Sequence, residues 1–373
     1  MSSPSEPVAF RSCNSSKMGK IRVAIIGLGR MGRKYLKEIV NNPCYDVVYL
    51  CDIDNDLRQR GEAIAPNATF INDADIIFND KSVDAVFLCE SSDSRYVHIK
   101  KALLTGKHVF AEKPVAMSLE QEREIDGLVK DYQDVVAVNL LNRNIWYHLR
   151  VAELIKEGEI SELAIVRVCH LTPGLAPKEG HHSEGPAFHD CGMHYVDIAR
   201  WYAQSEYDTW HAVGVRMWSY KEPWWVNCHG TFKNGVVFDI TRGHNYGQMS
   251  KDQVDNCYVD IIGTKGVAHI DIDVKNCHAR VSVHGVTKTV VEDKPYTDKN
   301  LDVMLDVFAK SVMAGENLGL PTVHDSVVAS EMSWRMYEDA MRNNPPCIGT
   351  EDELEEILER RRRMKNGYGL LKE

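Results

Sequence analysis

From Ile21 to about Leu140 the chain alternates short apolar runs with amphipathic segments of helical period, and nothing else in the sequence restricts its fold as much. The runs Arg22 to Ile26, Val47 to Cys51, Ala85 to Cys89, His108 to Phe110 and Val135 to Val138 read as strands. Segments at about 30 to 41, 54 to 63, 94 to 105 and 118 to 131 read as helices between them. Parallel strands need a crossover connection, and a helix supplies one, so the pattern predicts a doubly wound parallel sheet covered on both faces. A chain of 373 residues has length for a second domain.

After Leu140 the rhythm changes. A helix from His148 to Glu157 precedes a strand, Leu163 to His170, then a His-rich loop from Thr172 to Pro186 and a helix from there to Tyr202. Trp210 to Val291 reads as successive strands with hairpin signals such as Lys233-Asn234-Gly235, which predicts a large, mostly antiparallel open sheet. Helices near 298 to 314 and 325 to 343 follow. The expected organisation is a disordered extension over 1 to 20, a nucleotide-binding domain over 21 to 140, an α+β substrate and assembly domain over 141 to 345, and a helical arm over 346 to 373. In that arm the Arg360 to Arg363 run, with Glu356 and Glu359 one turn earlier, reads as a solvated helix end.

Composition narrows the function. Forty-four Lys and Arg against 54 Asp and Glu leave a charge of −10, which argues against a nucleic-acid partner. The ten cysteines stand singly, with no C-x-x-C pair, and read as reduced thiols. No apolar run approaches the ~20 residues of a membrane span, and the first twenty residues lack the core of a secretory signal. A cytoplasmic enzyme without a membrane partner is the expectation.

Gly27-Leu28-Gly29-Arg30-Met31-Gly32 follows the first strand and opens a helix, the context in which G-x-G-x-x-G binds a dinucleotide. Gly27 would make the tight turn, Gly29 would admit the pyrophosphate, and Gly32 would let helix and strand approach, with the anion at the helix N-terminus. Asp52 lies twenty residues beyond Gly32 at the end of the second strand, where a carboxylate accepts from a ribose diol. Asp52-Ile53-Asp54 contains no Arg for a 2′-phosphate, so NAD is favoured over NADP. Together these features predict a Rossmann domain.

Two further constellations could carry chemistry. Ala111-Glu112-Lys113-Pro114 ends a strand at the carboxyl edge of the sheet, where ligands of doubly wound folds bind. In His189-Asp190-Cys191-Gly192-Met193-His194, Asp190 and His194 share a helix face as a carboxylate and an imidazole suited to proton transfer. Spacing alone favours a capping aspartate and a packed histidine. His181, His182 and His189 lack a regular metal-ligand spacing, so no metal is expected and their loop reads as a substrate lid. Trp224-Trp225 reads better as strand packing than as a sugar platform.

In this order the motifs resemble the glucose-fructose oxidoreductase, inositol dehydrogenase and MocA family over residues 21 to about 345. The matching positions are Gly27, Gly29, Gly32, Asp52, His98, Glu112-Lys113-Pro114, Arg143, Asp190, Gly192, His194 and Asp197. The resemblance implies a Rossmann domain joined to an open-sheet domain, and oxidation of a hydroxyl of a sugar or cyclitol with NAD or NADP. It implies Lys113, Asp190 and His194 as the catalytic set, with His194 as base. Cofactor contacts then extend from residues 27 to 32 to Asp52, Ile53, Glu90, His98, Glu112 and Lys113, and substrate contacts to Lys113, Arg143, His170, Thr172, Asp190 and His194. It also implies a small polyhydroxy substrate and a homodimer or homotetramer formed through the second domain's sheet. Cys89-Glu90-Ser91-Ser92 departs from the Thr-Pro or Asn-Pro step of many members, which leaves the nicotinamide-side loop, the substrate and the stereochemistry open. A glycoside-cleaving enzyme using transient oxidation, and a non-catalytic NAD-binding regulator, are the alternatives.

Overall fold

The computed structural model describes residues 19–173, 185–218, 222–247, 250, 253–343 and 345–363. In chain order the elements are β1 (Ile21–Ile26), α1 (Arg30–Asn41), β2 (Tyr45–Cys51), α2 (Arg58–Glu62), β3 (Thr69–Ile71), α3 (Asp75–Asn79), β4 (Ala85–Leu88), α4 (Ser92–Leu104), β5 (His108–Ala111), α5 (Leu119–Val129) and β6 (Val136–Val138). There follow α6 (Trp146–Lys156), β7 (Leu163–Leu171), α7 (Ala187–Ala203), β8 (Tyr207–Met217), β9 (Trp225–Phe232), β10 (Val237–Gly243), β11 (Asn256–Gly263), β12 (Val267–Asp273), β13 (His278–His284), β14 (Thr289–Pro295), α8 (Leu301–Ala314), α9 (Val323–Arg342), β15 (Cys347–Ile348) and α10 (Glu351–Arg363).

These residues form two compact units, and neither is one continuous stretch. The first takes the chain to Glu112, then Asp131–Ala137 and Leu305–Gly319; the second takes Lys113–Lys130, Val138–Met304 and Leu320 onward. The sequence suggested one boundary near residue 140. The structure instead returns part of α8 to the first unit and assigns α5 to the second, where it packs on α9.

The first unit is a parallel sheet in the order β3-β2-β1-β4-β5-β6. Val23, Ala24 and Ile25 of β1 and all of β4 are shielded from water, as strands covered on both faces must be. On α1, Gly32, Tyr35, Leu36 and Ile39 form the buried stripe that seats the helix on the sheet. The Tyr35, Phe87 and Phe110 rings pack together, and Phe308 of α8 closes on them with centroids 5.5 Å from Phe87 and 5.3 Å from Phe110. β3 and α3 escaped the sequence pattern because each is only a few residues long and β3 is an exposed to half-buried edge.

The second unit carries a nine-stranded sheet in the order β14-β13-β12-β11-β7-β10-β9-β8-β15. It is antiparallel except between β7 and β10 and between β8 and β15. Alternation is clean in β12, where Ala268, Ile270 and Ile272 point into the core and their neighbours face out. The core face packs on α6, α7 and α9. The outer face is polar: Arg167 lies 3.7 Å from Asp239 and 3.4 Å from Asp260, and Asn227 donates to Asp239 and Thr241 at 2.7 and 2.8 Å. In α10, Arg360 donates to the Ser250 carbonyl.

His148 of α6 is buried, 2.9 Å from the Tyr202 hydroxyl and packed on the Tyr147 ring at 4.6 Å. Burial pushes its pKa down to about 3. The unfolded chain therefore binds a proton here that the folded chain refuses, so stability is lost as pH falls below the ordinary histidine value. By pH 4.5 this group alone should cost about 2 to 3 kcal/mol. The thermal midpoint is expected to fall between pH 6.5 and 4.5, and to fall less in His148→Gln. Equal slopes for the two proteins would show that the proton is taken up elsewhere.

Candidate active site

In the first unit the glycine loop joins β1 to α1. Gly27 has φ +87°, and a Cβ there would meet the Glu90 amide nitrogen at 2.5 Å. A Cβ on Gly32 would stand 1.8 Å from the Gly27 carbonyl oxygen, so Gly27 and Gly32 are required by the fold itself. Gly29 differs: nothing lies within 4 Å of a Cβ placed on it, and it precedes α1 without a side-chain cap. The N-terminal N–H groups of that helix are the donors an anionic pyrophosphate needs. The loop therefore fits a dinucleotide.

Asp52 stands beside this loop. Its Oδ2 accepts from the Leu28 N–H at 2.6 Å and its Oδ1 from the Asp54 N–H at 2.9 Å. A carboxylate has about four acceptor positions, so each oxygen retains one for a ribose hydroxyl. Ile53 is 89% exposed. Glu90, just past β4, accepts or shares a proton with His98 Nδ1 at 3.1 Å, while its Oε2 is shielded from water without a hydrogen-bond partner. The His98 ring in turn packs on Phe78.

Two of the expected cofactor contacts, Leu28 and Glu112, also bond within the protein interior. The Leu28 side chain is fully buried, its N–H is taken by Asp52, and its carbonyl accepts from Arg33 at 2.8 Å. Glu112 is buried and accepts from the Tyr35 hydroxyl at 2.9 Å.

Lys113, the next residue, belongs to the second unit and follows Glu112 into a cis peptide with Pro114. Its Nζ donates to the Asp190 carbonyl at 2.6 Å and lies 2.5 Å from Asp190 Oδ1. Asp190 occupies the first turn of α7, where the helix dipole favours a carboxylate. His194 follows one turn later on the same face, half-buried, and its Nδ1 meets no hydrogen-bond partner. Burial first, then the positive charges of Lys113 and Lys299, push its pKa well below the ordinary value, against the opposing pull of Asp190. These effects favour the neutral imidazole, and of the three residues singled out by the motifs Lys113 and Asp190 are bonded to each other while His194 lies one helical turn from Asp190.

Arg143 is committed elsewhere. Its Nε donates to Asp197 at 2.8 Å, and Nη2 lies 2.9 Å from Asp325, which Arg200 also binds at 2.8 Å. Burial raises the Asp197 carboxyl to about 6, whereas the Arg143 guanidinium and the Thr322 cap hold Asp325 at about 2 against the opposing effect of burial. Arg143 thus joins the turn before α6 to α7 and α9 through this ion-pair network.

The structure also sorts the remaining histidines. His189 is a core residue, 2.9 Å from Ser330 Oγ and packed on Trp334, and is not part of a lid. His181 and His182 lie outside the described residues. The His170 ring packs on Tyr195 of α7 with centroids 4.6 Å apart, while Thr172 is buried and anchored by its backbone to Gly243 and Tyr246. Trp224 packs with Trp218 and against His244. Arg242 and Lys299, absent from every motif, also act on His194, their positive charge helping to lower its pKa. No signal in a single sequence marks a strand arginine or a turn lysine as belonging to a site. Among the described residues no group of three or more His, Cys, Asp or Glu could hold a metal ion, and no helix is long and apolar enough to cross a membrane.

Residues 21–140 match the model of the Gfo/Idh/MocA oxidoreductase family's NAD-binding Rossmann fold, and residues 148–269 match a Gfo/Idh/MocA C-terminal domain. The chain is 24% identical over 317 residues to an inositol 2-dehydrogenase of Salmonella typhimurium, covering 83% of this chain and 91% of that one. A myo-inositol dehydrogenase structure from Corynebacterium glutamicum superposes with a TM-score of 0.73 at 20% identity, over 87% of this chain and 97% of that one. A 3-ketoreductase from Actinomadura kijaniata, in complex with NADP and TDP-benzene, gives a TM-score of 0.69 at 20% identity, over 89% and 99% of the two chains.

Proposed function

Since the chain belongs to the Gfo/Idh/MocA family of NAD(P)-dependent oxidoreductases, we propose that it oxidises a secondary hydroxyl of a sugar, sugar derivative or cyclitol with His194 as the base. The observation that carries this reading is Lys113 Nζ held on Asp190 with a neutral imidazole one helical turn away. Bound nicotinamide would take the hydride from the carbinol carbon. The rest of the chemistry falls to the protein. As hydride leaves, the hydroxyl proton passes to the unprotonated ring nitrogen of His194. The Lys113 ammonium, aimed by Asp190, stabilises the charge developing on the oxygen. Arg143, through Asp197 and Asp325, fixes α7 and so the position of both Asp190 and His194.

NAD is the proposed cofactor. Asp52 would accept from both ribose hydroxyls and repel a 2′-phosphate, so NAD should bind at least ~10-fold tighter than NADP, or ~1.4 kcal/mol. Titration calorimetry measures this directly, and equal affinities would remove the role given to Asp52. Self-association through the outer face of the nine-stranded sheet would rest on polar groups such as Arg167, Asp239 and Asp260, and light scattering tests it.

The activity itself is tested by following NADH absorbance with cyclitols, aldoses, sugar acids and glycosides. NADH formed in proportion to substrate is the expected result. Glycoside cleavage without net NADH would replace dehydrogenation by transient oxidation, and absence of turnover on the whole panel would leave a binding protein.

A further inference from the structure

Arg242 of β10 is only 5% exposed, yet among the described residues no carboxylate lies within ion-pairing distance of it. Its Nη1 donates to the His170 and Gly243 carbonyls at 2.9 and 2.6 Å, its Nη2 contacts the His244 ring at 2.9 Å, and the guanidinium lies over Tyr195 at 5.6 Å. Its Nε meets no acceptor. A buried guanidinium satisfied by neutral groups keeps its charge uncompensated, and desolvating such a charge is unfavourable unless an anion balances it.

The neighbours of Arg242 ask for the same complement. The His170 and His194 rings each hold an Nδ1 that is shielded from water and lacks a partner. Lys299, in the turn before α8 where Lys299 and Asn300 have φ of +66° and +48°, adds positive charge to the surroundings of both rings. Left-handed backbone at two successive non-glycine residues is held in place by the buried Asn300 side chain, which donates to the Asn144 carbonyl. Arg242 and Lys299 thus add positive charge around His194, and Asp190 is already engaged by Lys113.

We infer that the substrate is a sugar acid whose carboxylate is received by Arg242, His170 and Lys299 while its reacting hydroxyl meets His194. This rests on the dehydrogenase reading for the hydroxyl and on the uncompensated guanidinium for the acid. One carboxylate balances the charge that Arg242 leaves uncompensated.

The test is calorimetric titration of NAD-loaded protein with the uronates and aldonates of several hexoses, their parent sugars, myo-inositol and glucose 6-phosphate. At least one acid should bind ~10- to 100-fold tighter than its parent sugar, the range of a hydrogen bond to a charged group. That ratio should collapse in Arg242→Met and shrink in Lys299→Gln, with NAD affinity as the folding control. If Arg242→Met does not fold, Lys299→Gln decides. Failure of every acid to surpass its parent sugar, tighter binding of glucose 6-phosphate than of any acid, or an undiminished ratio in Lys299→Gln overturns the inference. NADH from a neutral cyclitol without any preference for acids would sink the inference and leave the dehydrogenase reading intact. Tight acid binding without NADH from any compound would do the reverse.

Discussion

His194→Ala is expected to lower turnover by ~10²- to 10⁴-fold on the best substrate while NAD affinity stays unchanged, because the base is lost and the glycine loop is untouched. Lys113→Ala should cripple turnover comparably and release Asp190, its partner at 2.5 Å. The pH profile distinguishes a base from a merely structural imidazole. A histidine near 6.5 would make oxidation climb between pH 6 and 7, which is what the residue type alone suggests. Burial and the charge of Lys113 favour the neutral ring and lower its pKa, so the rising limb moves to lower pH and oxidation stays flat from pH 6.5 upward as far as this group is concerned. Initial rates of NADH formation across pH 5 to 8, for wild type and both variants, give the measurement. Near-normal turnover in His194→Ala would make the histidine a packing residue and remove the main support for the mechanism.

Gly32→Ala should be nearly as damaging for a different reason. The added methyl would sit 1.8 Å from the Gly27 carbonyl oxygen, and a backbone atom between β1 and α1 has little room to yield. Overpacking of this kind should cost ~3 kcal/mol or more, and the thermal midpoint should fall by roughly 6 to 12 °C. Gly29→Ala, with nothing within 4 Å, should leave the midpoint in place and still weaken NAD binding, because the methyl enters the space the pyrophosphate would use. Thermal scans and titrations of the two variants separate the glycine needed for packing from the one needed for approach. Equal destabilisation by both would refute that separation.

The helix-strand alternation made the first sheet legible almost to its ends, because strands covered on both faces leave uninterrupted apolar runs. The edge β3 leaves no such run and passed unseen. The site was legible where chemistry and motif coincide, at the glycine loop, Asp52, Lys113, Asp190 and His194. It was not legible where a side chain's role depends on what distant segments bring to it. Arg143 has the charge expected of a substrate contact, but Asp197 and Asp325 claim its guanidinium from elements 54 or more residues away in sequence. Glu112 and His189 likewise look like site residues beside their motifs, until Tyr35 and Ser330 are found bonded to them in the interior. Arg242 and Lys299 belong to no motif, and only the fold brings their charge to bear on one imidazole.

The return of α8 to the first unit bears on the order in which the chain can be made and folded. Phe308 covers the Phe87 and Phe110 rings, the Leu305 carbonyl accepts from the Tyr45 hydroxyl at 2.6 Å, and Asp306 accepts from Asn42 at 2.7 Å. A nascent chain emerging from the ribosome presents β1 to β5 long before those partners exist, so the nucleotide-binding sheet waits, with an aromatic face uncovered, for most of the polypeptide to be synthesised. Completion of this unit therefore waits for residues 305–319, and the interval is one in which a chaperone that binds aromatic surface would find it.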